Sequence, residues 1–218
     1  MTEREAWELG VGEWIELVRS SDHPHEHDTV IRELLPPPAG LGLDVGCGEG
    51  RWTRELASLG HDVVGVDRSN TLVAAARDAD RDGRYEVAAA DDLPFAGGEA
   101  ALVLCVNVLM HVVDLEQALR EFARVLQPGG VLVVGLAHPV MEAGTFDEES
   151  GELRIKSYFA LEEHVLPLGE HHVAHQHRTI EGYVRALLAS GFVLDDLREV
   201  PGRTGGTPKY LDLRLTRS

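Results

Sequence analysis

The sequence predicts an α/β fold with a largely parallel sheet, because strand-like segments alternate with segments of helical periodicity. The alternation starts at Gly40 and gives predicted strands at 40–45, 62–67, 84–90, 101–107 and 131–136. Predicted helices lie between them, at about 51–59, 70–79 and 115–126, and a further helix follows near 180–190. Two short final strands, about 192–199 and 209–215, predict an antiparallel pair at one sheet edge.

Residues with known capping and breaking preferences support these boundaries. Ser69 is placed to cap the helix at 70–79, and Asp114 with Gln117 forms a capping-box pattern before the next helix. Pro128-Gly129-Gly130 ends that helix, and Gly191 ends the last one. Near the N-terminus, a helical stripe at 3–19 and a short helix at about 27–35 precede three prolines.

The chain is long enough for one domain, 1–218, which we divide into four parts. These are an N-terminal helical cap at 1–35, a core at 36–137, an insert at 138–177, and the last helix and strand pair at 178–218. The insert breaks the alternation and is longer than an ordinary connection, so we expect it to form a lid over a binding site.

Composition excludes several classes of protein. The 218 residues are 44% hydrophobic and 26% charged, and the formal net charge is −17. With no basic cluster, neither nucleic acid nor an anionic membrane is an expected partner. The N-terminus does not resemble a secretory signal and no apolar window suits a membrane helix. The two cysteines suggest a reducing compartment, so a cytoplasmic location is expected.

A glycine-rich turn follows the first predicted strand and opens a helix. It reads Leu43-Asp44-Val45-Gly46-Cys47-Gly48-Glu49-Gly50. Glycines allow close approach of a ligand to the backbone, and the helix start offers unpaired N–H groups. Asp67 ends the next strand, where an acid accepts hydrogen bonds from ribose hydroxyls. The dinucleotide fingerprint needs glycine at the sixth place from Gly46, and that place is Arg51.

The turn resembles the first motif of the class I S-adenosylmethionine-dependent methyltransferases. The resemblance continues in order through Val64-Gly65-Val66-Asp67, Asp92-Leu93-Pro94-Phe95, the segment Asn107–Asp114, and Arg124-Val125-Leu126-Gln127-Pro128-Gly129-Gly130. Two departures stand out. Ala89 occupies a position where the family commonly has an acid on the adenine side, so Asp91 is the expected substitute, and Ala100-Ala101 replaces the usual Phe-Asp of the fourth strand.

The resemblance implies a Rossmann-like, seven-stranded and mostly parallel sheet with an antiparallel last strand and helices on both faces. It also implies S-adenosyl-L-methionine as cofactor and transfer of its methyl group to an O, N or C nucleophile of a small molecule. The implied cofactor-binding residues are Asp44, Gly46, Cys47, Gly48, Asp67, Arg68, Asp91, Asp92, Leu93 and Asn107. From their position in the N-terminal cap, Trp14 and Arg19 are expected to close over the methionine end, Arg19 by pairing its carboxylate.

Histidine is the expected general base if the acceptor carries a proton, because its pKa lies near neutral pH. His138 and His111 are the first candidates, since both follow strands at the carboxyl edge of the sheet; packing and turn roles are the alternatives. Tyr158, His172 and His175 are weaker candidates on the insert. His171, His175 and His177 share one face if the segment is extended, but no ligand spacing completes a zinc pattern, so no metal is predicted.

Three alternatives stay open at this point. A protein of the same fold could bind the cofactor without methylating, as a cyclase or a binder. An NAD-dependent oxidoreductase is disfavoured by Arg51 and by the missing second Rossmann half. A methyltransferase acting on a basic protein tail is compatible with the acidity and predicts an open acidic groove. The acceptor and the oligomeric state are not predicted.

Overall fold

The computed structural model describes residues 11–12, 14–16, 18–19, 27–147, 152–160, 163–168, 171–202 and 206–218. Its helices are α1 Asp28–Leu34, α2 Arg51–Ser58, α3 Asn70–Ala79, α4 Leu115–Val125, α5 Pro139–Glu142 and α6 Ile180–Ala189, with a 3₁₀ turn at Leu109–His111. Before them, residues 11–12, 14–16 and 18–19 are helical; residues 3–10 of the predicted stripe lie outside the described part.

Strands form one large sheet and two hairpins. They are β1 Leu41–Val45, β2 Asp62–Asp67, β3 Arg84–Val87, β4 Ala100–Val106, β5 Leu126–Ala137, β6 Gly144–Asp147, β7 Glu152–Ile155, β8 Glu163–Leu168, β9 His171–Gln176, β10 Phe192–Pro201 and β11 Pro208–Arg217. The large sheet has seven strands in the order β10-β11-β5-β4-β1-β2-β3. β11 is antiparallel to both neighbours, and the remaining pairs are parallel. The predicted fold class is confirmed.

Side chains alternate between the two faces of the sheet, and helices cover each face. On β4, Val103 and Cys105 pack in the cluster that contains the apolar stripe of α4 and the buried side of α6. Leu102 and Leu104 point the other way, into the cluster formed with α1 and α2. This period of two explains why the strands have near-continuous apolar runs, as expected when both faces are buried.

Local capping follows the predicted pattern. Ser69 Oγ accepts a hydrogen bond from the Leu72 amide at 3.1 Å at the start of α3. Asp114 Oδ1 accepts one from the Gln117 amide at 2.9 Å at the start of α4. The strand predicted at 84–90 is shorter in the structure. β3 ends at Val87, where the chain leaves the sheet.

The insert consists of the short helix α5 and two antiparallel hairpins, β6 with β7 and β8 with β9. β9 packs against the 3₁₀ turn at Leu109–His111. Arg178, directly after β9, donates to the carbonyl oxygens of Leu109 at 3.1 Å and Val112 at 2.6 Å. The end of the insert is therefore tied to the loop that follows β4.

Candidate functional site

A cavity of about 290 Å³ opens at the carboxyl ends of β1, β2 and β4. This is the edge of a parallel sheet where ligands bind in open α/β folds, and the volume is at the lower end for ligand pockets. Its walls come from the glycine-rich turn, the ends of the three strands, the loop after β4 and the N-terminal helical segment. The lining residues that sequence reasoning singled out are Trp14, Asp44, Gly46, Cys47, Gly48, Asp67, Arg68, Asp91, Asn107 and His111.

The glycine-rich turn lies against the end of β2. The amides of Gly46 and Cys47 both donate to the Val66 carbonyl oxygen, at 2.7 and 2.9 Å. Gly46 has φ 77°, and a Cβ built on it would lie 2.1 Å from Val108 Cγ2. Only glycine fits there, because the backbone is left-handed and the Val108 side chain leaves no room for a Cβ atom.

Gly48 differs from Gly46 in what surrounds it. Its φ is 57°, and a Cβ built on it would meet no protein atom within 4 Å, although the residue lines the cavity. A glycine beside open space at a ligand cavity leaves room for a bound molecule to approach the backbone. This is one observation that fits a ligand held on the turn.

Asp67 joins the turn to the end of β2. Its Oδ2 accepts from the Gly48 amide at 2.9 Å, and its Oδ1 accepts from the Ser69 amide at 2.9 Å. The carboxylate is buried and borders the cavity. An ionised carboxylate accepts several hydrogen bonds, so Asp67 can hold the turn and also receive hydroxyl groups from a ligand.

Asp44 is buried beneath the turn. Thr53 Oγ1 donates to Asp44 Oδ2 at 2.6 Å. Burial raises the pKa of Asp44 to about 7, and the Thr53 hydrogen bond and nearby Arg51 oppose the shift. Burial also raises the pKa of the neighbouring Cys47 thiol, so this cysteine is a small apolar wall residue and not an activated nucleophile.

Asn107, directly after β4, has an unusual backbone and an unsatisfied side chain. Its φ of 58° is the one positive value at a non-glycine position among the described residues. The amide donates to the Gly135 carbonyl at 2.8 Å, while the buried side-chain Oδ1 has no hydrogen-bond partner. Strain and an unpaired buried acceptor at a cavity wall are features of binding sites.

Arg19 contacts the turn in a way that the sequence did not predict. Its Nε and Nη2 donate to Glu49 Oε2 at 3.1 and 3.0 Å. Arg54 donates to both Glu49 carboxylate oxygens, at 2.8 and 3.0 Å. Trp14 and Val18 line the cavity. The N-terminal helical segment therefore covers the cavity, and Arg19 attaches it through Glu49.

On the side predicted to face adenine, Ala88, Ala89, Ala90 and Asp91 line the cavity. Asp92 and Leu93 are not among the lining residues. Leu93 is buried, with its amide donating to Glu121 Oε2 at 3.0 Å and its carbonyl accepting from Arg124 at 2.9 Å. The loop thus presents small apolar side chains and one acid to the cavity, while Leu93 anchors it to α4.

The two first-choice histidines have different surroundings. His111 lines the cavity. His138 is buried away from the lining: its Nδ1 accepts from the Val140 amide at 3.2 Å, and its Nε2 lies 3.0 Å from Glu199 Oε1. Both ring nitrogens are used to cap α5 and to join it to β10, so we do not retain His138 as a candidate base. The side chains of His171 and His172 lie outside the described part.

Several lining residues were not among the predicted site residues, namely Val18, Glu49, Arg51, Trp52, Leu72, Ala88, Ala89, Ala90, Val106, Val108, Val112, Val113 and Asp114. Glu49 could have been found from its place inside the glycine run. Arg51 follows that run directly, and Val108, Val112, Val113 and Asp114 lie in the segment Asn107–Asp114 that carries the family resemblance. The remaining residues come from elements that the tertiary fold brings together. Within the described ranges, no group of three or more His, Cys, Asp or Glu side chains is arranged to hold a metal ion. No described helix is long and apolar enough to span a membrane.

Comparison with known proteins agrees with this geometry. Residues 43–134 match the family model of a methyltransferase domain. The chain is 37% identical over 112 residues to a ubiquinone biosynthesis O-methyltransferase of Azorhizobium caulinodans, covering 50% of this chain and 44% of the relative. It is 30% identical over 180 residues to the protein of that name in Chelativorans sp., covering 81% and 65%.

A crystal structure of an S-adenosylmethionine dependent methyltransferase from Mesorhizobium loti superposes with a TM-score of 0.78 at 26% identity, covering 88% of this chain and 98% of that one. The fold and the turn define a nucleotide-binding α/β protein of Rossmann type. Over residues 43–134 the chain is similar to methyltransferase domains, and its fold is similar to that of the S-adenosylmethionine dependent methyltransferase from Mesorhizobium loti. The chain spans less than half the length of the first curated relatives, 42% and 44%.

Proposed function

We propose that this protein transfers the methyl group of S-adenosyl-L-methionine to an O, N or C nucleophile of a small molecule. The observation that supports this most is the set of groups around one cavity: the space beside Gly48, the carboxylate of Asp67 and the unpaired Oδ1 of Asn107. The O-methyltransferase names of the curated relatives point to the same chemistry.

The lining residues fit the proposed cofactor. Asp67 offers acceptors for ribose hydroxyls, Ala88–Ala90 and Asp91 provide a surface for the adenine, and the turn offers backbone amides. S-adenosylmethionine supplies an electrophilic methyl group and a thioether leaving group, so the protein mainly contributes alignment and exclusion of water. Acidic side chains in the wall suit a cationic sulfonium.

A small-molecule acceptor is favoured over a protein tail because the cavity is covered on one side by Trp14 and Val18 and on another by the loop after β4. The net charge of −17 argues against nucleic acid as a substrate. Both cysteines are free thiols, which suits the proposed cytoplasmic location.

The test is calorimetric titration of the purified protein with S-adenosylhomocysteine, with NADH as the control ligand. We expect a dissociation constant on the order of micromolar for the first and no heat for the second. A screen of small-molecule acceptors with a labelled methyl donor then identifies the product. NADH binding without S-adenosylhomocysteine binding would overturn the proposal. Tight binding without transfer to any acceptor would favour a non-methylating role of the same fold.

A further inference from the structure

The insert buries a carboxylate between two imidazoles close behind the cavity wall. Glu142, at the end of α5, has Oε1 at 2.8 Å from His175 Nε2 and Oε2 at 3.6 Å from His177 Nδ1. The three side chains are 9%, 5% and 0% exposed, so the group is almost completely shielded from solvent. Buried carboxylates are costly unless a counter-charge or hydrogen bond compensates them, so this arrangement requires an explanation.

Hydrogen bonding within the group is incomplete. Although the distances are short, neither oxygen of Glu142 has a partner with hydrogen-bond geometry, and the same holds for both ring nitrogens of His175. The Tyr183 hydroxyl nearby is also buried without a partner in hydrogen-bond geometry, although the Arg178 guanidinium lies close to it. Burial, and then the charge of Glu142, raises the pKa of Tyr183. Such a concentration of unsatisfied buried groups is typical of functional sites and not of packing.

His177 fixes the orientation of the group. Its Nε2 donates to the Tyr158 carbonyl oxygen at 2.9 Å, which leaves Nδ1 on the side of Glu142. Tyr158 is itself held, because its hydroxyl accepts from the Ile180 amide at 3.1 Å. These contacts place His177 in a supporting role and leave His175 as the imidazole that lies towards the cavity.

His175 connects the carboxylate to the cavity through His111. The two rings have centroids 5.3 Å apart and are perpendicular, and His111 lines the cavity. Arg178, which lies beside Tyr183, holds the backbone of the loop after β4 and so keeps His111 next to β9. The order from the interior to the cavity is Glu142, His175, His111.

We propose that Glu142 and His175 are positioning residues for His111, and that the acceptor is a protic nucleophile, a phenol or enol hydroxyl or an N–H group, whose proton His111 takes. The proposal rests on the proposed methyl transfer. In that step a lone pair of the acceptor O or N forms the new bond to the methyl carbon, and the carbon–sulfur bond breaks towards sulfur. The acceptor proton passes to a ring nitrogen of His111.

The geometry supports an acidic partner behind the base. Taking up a proton makes His111 cationic, and a negative charge held in the low-dielectric interior stabilises that cation more than it would in water. A buried carboxylate that stabilises the imidazolium formed during proton transfer has this role in other base-assisted reactions. A purely carbon nucleophile without an acidic proton does not need the base, so the arrangement favours protic acceptors.

The test uses full-length protein with ¹⁵N-labelled histidine, saturated with S-adenosylhomocysteine. Glu142→Gln keeps the shape and removes the charge; we expect the ¹⁵N ring resonances of both His175 and His111 to move. The matched control is Glu199→Gln, because Glu199 lies 3.0 Å from another imidazole, that of His138, which is not among the lining residues. There only the His138 resonances are expected to move.

Turnover with an acceptor from the labelled-methyl screen is the second measurement. Glu142→Gln and His175→Gln are expected to lower kcat by about 10- to 100-fold, with KM changed by less than about threefold, and His111→Asn is expected to lower kcat further. The pH profile of kcat should change in Glu142→Gln and stay unchanged in Glu199→Gln. A merely structural role would not separate the two variants in this way.

Glu142→Gln and Glu199→Gln should each bind S-adenosylhomocysteine with a dissociation constant within about threefold of the wild-type value. Such binding shows that the variants are folded. If Glu142→Gln loses binding, His175→Gln provides the comparison instead. Unmoved His111 resonances in a folded variant, or an unchanged kcat, overturns this inference while leaving the methyltransferase proposal intact. Absence of S-adenosylhomocysteine binding by the wild-type protein overturns the proposed function instead. If added Zn²⁺ returned the His111 resonances of Glu142→Gln to their wild-type positions, the inference about Glu142 and His175 would also be contradicted. These side chains would then form a metal site.

Discussion

The glycine-rich turn borders the cavity, whereas the insert packs behind the loop after β4, and the two regions satisfy their polar groups differently. In the turn, partners are close in sequence or on the adjacent strand: the Asp67 carboxylate receives Gly48 and Ser69 amides, and Asp44 receives the Thr53 hydroxyl. In the insert, Glu142 is more than 30 residues from either imidazole that it faces, and its oxygens lack hydrogen-bond geometry. The carboxylates of the turn therefore have hydrogen-bond partners within the protein, whereas Glu142 and His175 in the insert are buried without them.

The largest expected effect comes from two glycine substitutions that distinguish folding of the turn from ligand binding by the turn. Gly46→Ala places a methyl group against Val108 at a φ of 77°, so we expect loss of folded protein or destabilisation by about 3 kcal/mol or more. Gly48→Ala meets no protein atom, so the variant should fold, yet the methyl group occupies ligand space. We expect its affinity for S-adenosylhomocysteine to fall by about 100-fold.

Gly129→Ala is the matched control for Gly48→Ala, because Gly129 also has a positive φ, 77° against 57°, and open space around it, but lies outside the cavity lining. Thermal unfolding and calorimetric titration of the three variants are the measurements. Equal affinity of the Gly48 and Gly129 variants would contradict our assignment of the ligand to the turn.

A smaller effect concerns Asp44, where the turn does bury an acid at a cost. Its pKa is about 7 in the folded protein against an ordinary value of 3.8, so the folded state favours the protonated carboxyl. This contribution to stability is fully present below pH 4 and is lost as the pH rises through 7. Asp44→Asn keeps an acceptor for Thr53 and removes the titration. The variant should gain on wild type by roughly 2–3 kcal/mol between pH 5 and pH 8.

Denaturant unfolding at the two pH values measures this difference. Asp196→Asn is the control, because Arg198 lowers the pKa of that exposed carboxyl. No such gain with pH is expected for it. A pH-independent difference between Asp44→Asn and wild type would show that Asp44 is ionised in the fold throughout this range.

Local chemistry explains what the sequence predicted well. The individual strands and helices and the caps of Ser69 and Asp114 depend on residues within a few positions of each other, so periodicity and spacing reveal them. Thr179 likewise caps α6, accepting from the Gly182 amide at 3.0 Å. The seven-stranded order of the sheet was implied by the family resemblance instead.

The remaining site residues depend on long-range contacts that leave no pattern in one sequence. His138 and His111 occupy equivalent places after their strands, yet one is enclosed by Val140 and Glu199 and the other borders the cavity. Glu142 was not among the predicted site residues. Its burial against His175 follows from how the hairpin of β8 and β9 packs, which no local rule specifies.

The smallest expected effect tests the attachment of the N-terminal segment. The sequence predicted that Arg19 pairs with the methionine carboxylate of the cofactor, whereas in the structure it donates to Glu49, which Arg54 also neutralises. Since the Arg19 side chain is 47% exposed and its partner keeps another cation, Arg19→Ala should weaken S-adenosylhomocysteine binding by less than about threefold. Arg185→Ala, which removes an exposed ion pair with Glu181 on α6, is the control for nonspecific charge effects. Calorimetric titration at low and high salt distinguishes the two roles of Arg19. A loss of affinity of about 30-fold or more would mean that Arg19 leaves Glu49 and contacts the ligand directly. The N-terminal segment would then be part of the ligand-binding site together with the turn.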